Sequence, residues 1–129
     1  EIYPSDSNAI EFCRGTFSEM DEDIYEIIEY FASRNKILYV HFRNVSAPNP
    51  NEFNEEFINT GYVDMVKAMK TYKDAGYEGC FMDDHCPDIY NDQEFPGNLG
   101  GYRSRIFAQG YIQGLLDSIR WELLLRHLS

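Results

Sequence analysis

Apolar residues form three short continuous runs along the chain. The runs are AIEFC (residues 9–13), KILYVHF (36–42) and GCFMDD (79–84). They are a few residues long and rich in β-branched and aromatic side chains, which favours strands over helices. The sequence therefore predicts three strands.

The segments between and after these runs show the spacing of amphipathic helices. Ser18 and Asp21 form an S-x-x-D signal for the start of the first helix. The second helix is predicted over residues 62–75 with Gly76 as its C-terminal stop, and the third from Tyr102 onward. The positions that define the three helices are Ile24, Ile27, Ile28 and Phe31; Tyr62, Val66, Met69 and Lys73 with Met65 and Tyr72 beside them; and Ile112, Leu115, Leu116, Ile119 and Leu123.

Strands and helices alternate, which indicates an α/β fold. This order predicts a parallel sheet with right-handed crossovers. Strands that are apolar throughout suit a sheet that is covered on both faces or closed into a barrel. Residues 44–60 and 85–101 contain prolines and asparagines and are predicted to be long loops.

Composition excludes some classes of partner. The chain has 129 residues, 43% of them hydrophobic, which is enough for the core of one domain and argues against disorder. Its 22 acidic and 11 basic residues give a net charge of −11, so we expect neither nucleic acid nor an anionic membrane as a partner. No apolar run approaches the roughly 18 residues that span a bilayer. A small anionic substrate would then need a local cation, either a metal ion or an arginine.

The cysteines indicate a reducing environment. Cys13, Cys80 and Cys86 are few, odd in number and not arranged as C-x-x-C, which predicts free thiols and a cytoplasmic location. Cys80 lies inside its strand and is expected to belong to the core. Because the chain begins at Glu1 rather than at Met, we expect it to be a piece of a longer protein.

Each predicted strand ends in a residue that can bind a metal ion: Cys13, His41 and Asp84. The carboxyl ends of parallel strands meet at one edge of the sheet, where active sites of (β/α) folds lie. Alternation places Asp83 and Asp84 on opposite faces, so only one of them is expected to join the site, and alternation does not say which. A mixed set of sulfur, nitrogen and oxygen ligands suits a divalent ion such as Mn²⁺, Fe²⁺, Co²⁺ or Zn²⁺.

Each of these residues also has a structural interpretation. A cysteine such as Cys13 is more often a small buried hydrophobe, and a histidine such as His41 is often satisfied by hydrogen bonds alone. Asp84 could be a turn or capping residue. The coincidence at three successive strand ends is what favours a metal site.

Three other residues are candidates for substrate chemistry. His85 could be a general acid or base, or a solvated loop histidine. Arg43 could clamp a substrate carboxylate, or form a surface ion pair. Tyr102 follows Gly100 and Gly101, which allow close approach of a ligand, and could hold or protonate a substrate oxygen, although the chain has ten tyrosines.

Four segments resemble, in order, the C-terminal half of the mannonate dehydratases: EFCRGT, YVHFRNV, GYVDMVKAMKTYKDAGYEGCFMDDH and GGYRSRIFAQGYIQGLL. The resemblance covers most of the chain. Its most specific parts are the His-x-Arg-Asn-Val stretch, the Val-Asp-Met helix start and the Asp-His pair. It implies a (β/α)₈ barrel related to the xylose-isomerase-like enzymes. It also implies dehydration of D-mannonate to 2-dehydro-3-deoxy-D-gluconate, a step of hexuronate breakdown, with Mn²⁺ or a similar ion.

The resemblance implies roles for individual residues. Cys13, His41 and Asp84 match metal ligands, and Asp84 is preferred to Asp83 because the family's ligand directly precedes a histidine. His85 and Tyr102 match candidates for the proton transfers. Arg43 would hold the acid end or a hydroxyl of the substrate.

The chain also departs from the family pattern. Asp83 stands where the family usually has proline, Cys86 stands where many members have glycine, and the stretch between His85 and Tyr102 differs. These departures bear on the assignment of the substrate more than on the assignment of the metal site. The family's barrel takes a further histidine ligand from an earlier strand, which residues 1–129 do not supply.

We therefore expect residues 1–129 to form a single partial domain, the C-terminal portion of a (β/α)₈ barrel with about three parallel strands. The expected function of the full-length protein is metal-dependent dehydration of D-mannonate, with Mn²⁺ favoured and Fe²⁺, Co²⁺ or Mg²⁺ as alternatives. The expected partner is a small sugar acid, and a homo-oligomer is left open. The competing interpretations are a metal-dependent sugar isomerase or epimerase on the same barrel and a non-catalytic fragment; the fragment alone is expected to be inactive.

Overall fold

The computed structural model describes residues 4, 5, 7–92 and 101–126, the last six of them as backbone only. Its elements in chain order are β1 (Ile10–Cys13), α1 (Arg14–Ser18), α2 (Ile24–Ala32), β2 (Ile37–His41), β3 (Asn44–Val45), β4 (Glu55–Glu56), α3 (Met65–Asp74), β5 (Cys80–Met82) and α4 (Tyr102–Arg126).

Three parallel strands form the main sheet. β2 lies in the middle and pairs in parallel with β1 on one side and β5 on the other. Helices separate these strands along the chain, as crossover connections between parallel strands require. The predicted α/β fold with about three parallel strands is therefore confirmed.

One face of the sheet packs against the helices. Three residues that are paired across the strands, Phe12, Val40 and Phe81, point toward this face, and Phe12 and Val40 are fully buried. The ring of Tyr72 on α3 lies 5.9 Å from that of Phe12 and 5.2 Å from that of Phe81, edge to face. Edge-to-face contacts of this kind add to the burial energy of aromatic side chains, so Tyr72 is the centre of the core.

The opposite face carries the chemistry-bearing residues. Side chains alternate along a strand, so the positions flanking the core residues point away from the helices: Glu11, Cys13, Tyr39, His41, Cys80 and Met82. Cys80 is exposed, so the prediction that it belongs to the core was wrong. It has the strand parity of Tyr39, with which it pairs, and not that of the core residue Phe81.

An irregularity in the pairing of β1 with β2 changes the face on which Ile37 lies. The pairing with β1 jumps from Ile10↔Ile37 to Glu11↔Tyr39 and leaves Leu38 without a partner in the ladder. Ile37 consequently joins the core, and Leu38 is exposed. Strict alternation would place Ile37 on one face with Tyr39 and His41, but the unpaired residue resets the alternation.

The start of α2 also differs from the prediction. Ser18 ends the short helix α1, and Asp23 is the N-cap of α2. The Asp23 carboxylate accepts hydrogen bonds from the backbone N–H groups of Tyr25 at 2.8 Å and Glu26 at 3.3 Å. The S-x-x-D pattern misplaced the helix start because a second aspartate two residues later offers a better cap.

The second helix follows the prediction more closely. Asp64 caps α3 by accepting from the N–H group of Lys67 at 3.0 Å. The helix ends at Asp74, and Gly76 has φ +84°, the left-handed conformation that stops helices and that glycine adopts without strain.

The predicted loop 44–60 contains two short strands. β3 and β4 pair antiparallel, with Asn44 opposite Glu56 and Val45 opposite Glu55. Strands of two residues give no periodic signal in a sequence, so the loop prediction missed them. Their pairing holds Glu55 next to the end of β2.

The rest of the prediction is tested in part. Residues 85–92 have no regular secondary structure apart from a turn, whereas 93–100 of the second predicted loop and the side chain of Leu123 lie outside the described residues. Among the helices that the structure describes, none has the length and apolarity needed to cross a bilayer.

Tyr72 and Tyr77 differ in the hydrogen bonding of their hydroxyls, and this difference predicts opposite effects on stability. The buried Tyr72 hydroxyl has no hydrogen-bond partner among the described residues, and burial raises the pKa of Tyr72 well above its ordinary value. The Tyr77 hydroxyl donates to the Cys80 carbonyl at 2.9 Å. We expect Tyr72→Phe to raise the free energy of unfolding by about 1 kcal/mol, and Tyr77→Phe to lower it by about the same amount.

Urea denaturation of the complete protein measures both variants. Tyr77→Phe is the matched control, because both substitutions remove one hydroxyl from the same aromatic cluster. Equal losses in the two variants would show that the Tyr72 hydroxyl is satisfied by a buried water molecule.

Candidate metal centre

Strand register brings the predicted ligands to one edge of the sheet. Cys13 pairs with His41 across β1 and β2, and His41 pairs with Met82 across β2 and β5. Asp84 follows Met82 by two residues. All three side chains are partly buried, and one ligand atom from each lies within 4.8 Å of the others.

The distances fit a single metal ion. The Cys13 Sγ atom lies 3.8 Å from Asp84 Oδ2, and the His41 ring approaches the same oxygen to 3.5 Å at Nδ1. Either ring nitrogen of His41 could be its ligand atom. Atoms that bind one ion at about 2.0–2.3 Å lie roughly 3–4.5 Å from one another. A thiol, an imidazole and a carboxylate at these separations could hold a divalent ion; that they bind one stays a prediction.

The backbone at the end of β5 orients the side chains of Asp83 and Asp84 in different directions. Asp84 has φ +59°, a left-handed conformation that aspartate tolerates better than most residues. Its side chain faces Cys13 and His41. The Asp83 side chain is instead buried against α4, where Gln109 donates to it and the Arg105 Nε atom lies 3.2 Å away.

Helix α4 also contacts the backbone of the candidate ligand. Arg105 donates from Nη1 to the Asp84 carbonyl at 2.8 Å while its Nε faces the Asp83 carboxylate. One arginine thus joins both residues of the strained turn to α4. The position of Asp84 therefore depends on how α4 docks against the sheet.

Arg43 is the cation at the centre of the site. It is 6% exposed, and its guanidinium faces three carboxylates. Nη2 donates to Glu19 at 2.7 Å, Nη1 donates to Glu55 at 2.8 Å, and Nε lies 3.3 Å from Asp84 Oδ2. Burial alone would lower the pKa of Arg43, but the neighbouring anionic groups outweigh it and raise the pKa above its ordinary value.

Gly15 on α1 is required for this arrangement. A Cβ atom added at Gly15 would lie 2.5 Å from the Arg43 Cζ atom, closer than side chains allow. Gly15 lies two residues after Cys13, the last residue of β1. Because it has no side chain, the Arg43 guanidinium can pass against α1 and reach Glu19. Of the two interpretations of Arg43, the surface ion pair is wrong, because its ion pairs form a largely buried network.

His85 lies between two of the same carboxylates. Its Nδ1 is 3.5 Å from Glu55 Oε1, and its Nε2 is 3.4 Å from Asp84 Oδ1. The ring is about one-third exposed, so it has access to solvent while both nitrogens face acceptors. The acid or base role expected for His85 stays a prediction.

Tyr102 is positioned differently from the other predicted residues. It is the first residue of α4 and is 63% exposed. Its assigned part in proton transfer stays a prediction.

Sequence reasoning missed three glutamates at the site. Glu19 and Glu55 bind Arg43, and Glu11 lies 2.8 Å from His41 Nδ1. Glu11 could have been found, because it shares the parity of Cys13 two residues later on β1. Glu19 and Glu55 carry no such signal: one follows a five-residue helix, and the other lies on a two-residue strand.

Comparisons with known proteins agree on one family. The family model described as D-mannonate dehydratase (UxuA) matches residues 1–123. A mannonate dehydratase from Brachyspira hyodysenteriae is 34% identical over 118 residues, and one from Enterococcus faecalis is 33% identical over 122 residues. These alignments cover 89% and 92% of the chain but 32% and 33% of the two relatives.

A solved structure gives the same result. The crystal structure of mannonate dehydratase from Streptococcus suis serotype 2 matches with a TM-score of 0.79 and 31% sequence identity. The match covers 91% of this chain and 34% of that one. It confirms the predicted fold class, part of a (β/α)₈ barrel, and the chain spans about one third of the length of the relatives it matches.

The Arg43 network makes a prediction about stability. We expect Arg43→Met to lower the free energy of unfolding by about 3–5 kcal/mol, because it leaves partly buried carboxylates without their cation. Lys70→Met is the control, since it breaks an exposed i,i+4 pair with Asp74 and should cost about 0.5 kcal/mol or less. Urea denaturation of the complete protein at neutral pH compares the two, and similar small losses would mean that solvent already screens the Arg43 carboxylates.

Proposed function

Because the chain belongs to the D-mannonate dehydratase family, we propose that the complete protein removes water from D-mannonate to give 2-dehydro-3-deoxy-D-gluconate. Residues 1–129 are proposed to be one partial domain that supplies part of the metal site. The remainder of the barrel would supply the other ligands and close the sheet.

The convergence of Cys13, His41 and Asp84 is the observation that carries the proposal. They come from three different strand ends, and their ligand atoms lie within 4.8 Å of one another. The same donor set appears in the resemblance as the ligands of the catalytic ion. We propose Mn²⁺ as that ion, with Fe²⁺, Co²⁺ or Mg²⁺ as alternatives, since nitrogen and oxygen ligands accept several divalent ions.

A divalent ion bound at this site would withdraw charge from the substrate's carboxylate end and make the C2 proton more acidic. The substrate is an anion, and the chain carries a net charge of −11. A local positive charge is therefore needed to bind it. Arg43 already faces Glu19, Glu55 and Asp84, so its contacts favour holding Asp84 in place; direct contact with the substrate remains the second proposal for it.

We propose His85 and Tyr102 for the two proton transfers. Dehydration removes the proton on C2 and returns a proton to the departing C3 hydroxyl, so one base and one acid are needed. His85 is suited to either part, because its two ring nitrogens lie 3.5 Å from Glu55 and 3.4 Å from Asp84. Tyr102 would take the other part from the start of α4.

We further propose a cytoplasmic enzyme without nucleic acid or membrane partners. The three cysteines are free thiols, as in a reducing compartment. The excess of acidic residues disfavours polyanions. Association into a homo-oligomer is compatible with these properties and is left to measurement.

Substitution of the ligands tests the proposal. In the complete protein, Cys13→Ala and Asp84→Asn are expected to lose bound Mn²⁺ and to reduce turnover of D-mannonate below detection, because removing a ligand opens the site. Metal content is measured by elemental mass spectrometry, and product is identified by its mass, which is lower than that of the substrate by one water.

Two matched variants serve as controls. Cys80→Ala removes a thiol from the same face of the sheet, and Asp88→Asn removes an exposed carboxylate four residues after Asp84 along the chain. Both should keep metal and activity. Full metal content and turnover in Cys13→Ala and Asp84→Asn would refute the site, and a product with the mass of the substrate would instead favour an isomerase or epimerase.

A further inference from the structure

Glu11 and Asp84 both have a carboxylate close to the candidate ligand His41, and Glu11 is the nearer of the two. The Glu11 Oε1 atom lies 2.8 Å from His41 Nδ1, whereas Asp84 Oδ2 lies 3.5 Å from the same nitrogen. Of these two carboxylates, only Glu11 is at hydrogen-bond distance. Glu11 is therefore the nearer acceptor for a proton on Nδ1.

Neighbouring residues on the sheet hold Glu11 and the ring. Tyr39 is paired with Glu11 across β1 and β2. The interaction of the Tyr39 hydroxyl with the Glu11 carboxylate is the main cause of the raised pKa of Tyr39. The Tyr39 ring also packs edge to face against the His41 ring, with centroids 5.3 Å apart.

Strand alternation explains why these groups meet. Glu11 and Cys13 share one face of β1, and Tyr39 and His41 share the same face of β2. Glu11 is thus the diagonal neighbour of His41, a separation that long side chains bridge. The face that presents the candidate ligands also presents a carboxylate to orient one of them.

The chemistry of imidazole gives this contact a consequence. A neutral imidazole has one N–H group and one lone pair, and a hydrogen bond from one nitrogen fixes the lone pair on the other. If Nδ1 donates to Glu11, the nitrogen available to a metal ion is Nε2. Carboxylates that accept from metal-binding histidines typically improve metal affinity by about 10–100-fold.

We propose that Glu11 is a positioning residue for the metal centre, which holds His41 in the tautomer with its lone pair on Nε2. This inference rests on the metal site under the proposed function but adds a residue outside the ligand set. In this proposal Glu11 acts through its contact with His41.

Binding of Mn²⁺ to the complete protein tests the proposal. Glu11→Ala should weaken Mn²⁺ binding by about 10–100-fold, because the ring loses its orienting acceptor. Glu11→Gln should weaken it by less than about tenfold, because the amide oxygen still accepts from Nδ1, although without charge. Equal losses in the two variants would overturn the proposal, since they would indicate a role for the charge or direct ligation.

A second measurement does not depend on the metal. In the metal-free protein with ¹⁵N-labelled histidine, nuclear magnetic resonance reports which nitrogen of the neutral His41 ring carries the proton. We expect the Nδ1–H tautomer in the unmodified protein and in Glu11→Gln, and a shift toward Nε2–H in Glu11→Ala. The Nε2–H tautomer in the unmodified protein would contradict the proposal.

The controls separate this inference from the proposed function. Glu29→Ala removes an exposed carboxylate from α2, whose Phe31 packs against Phe12 on the opposite face of the sheet, and should leave Mn²⁺ binding unchanged. If the unmodified protein binds no Mn²⁺, the metal centre itself is wrong. If it binds Mn²⁺ and Glu11→Ala binds it equally well, only the role of Glu11 is wrong.

Discussion

The candidate site depends on the position of the Asp84 carboxylate. It lies beyond the last residue of β5, on a left-handed backbone turn, where nothing in the strand ladder holds it. Its position is set by the Arg43 Nε atom at 3.3 Å and by Arg105, which binds its carbonyl from α4. Two arginines in a chain of net charge −11 are thus used to place one acidic group. A partly buried carboxylate is costly unless it is paired, and Arg43 supplies the cation.

One face of the sheet builds the core, and the other carries the candidate metal ligands. Phe12, Val40 and Phe81 anchor one face to the helices and supply the burial that stabilises the fold. The residues between them point the other way, so a pattern that builds the core also places a row of polar groups at fixed separations. Parallel pairing then aligns Cys13 with His41. The placement of Cys13 and His41 is therefore a consequence of strand register, and a slip of one residue in either strand would turn its candidate ligand to the wrong face.

Much of this could be predicted from the sequence, because it rests on local signals. The apolar runs located the three strands, and the strand ends located Cys13, His41 and Asp84. The unpaired Leu38 and the two-residue strands β3 and β4 were missed, because they arise from pairing between distant segments and leave no periodicity. The partners of Arg43 were missed for the same reason: Glu19 and Glu55 lie 24 and 12 residues away along the chain. The prediction for Cys80 failed because strand position was weighed and parity was not.

The most direct test of the central claim is an anomalous difference map from crystals of the complete protein that contain Mn²⁺. We predict one strong peak within about 2.0–2.5 Å of Cys13 Sγ, a ring nitrogen of His41 and a carboxylate oxygen of Asp84. A peak bound elsewhere, with the Cys13 thiol still donating to Asp84, would contradict the account.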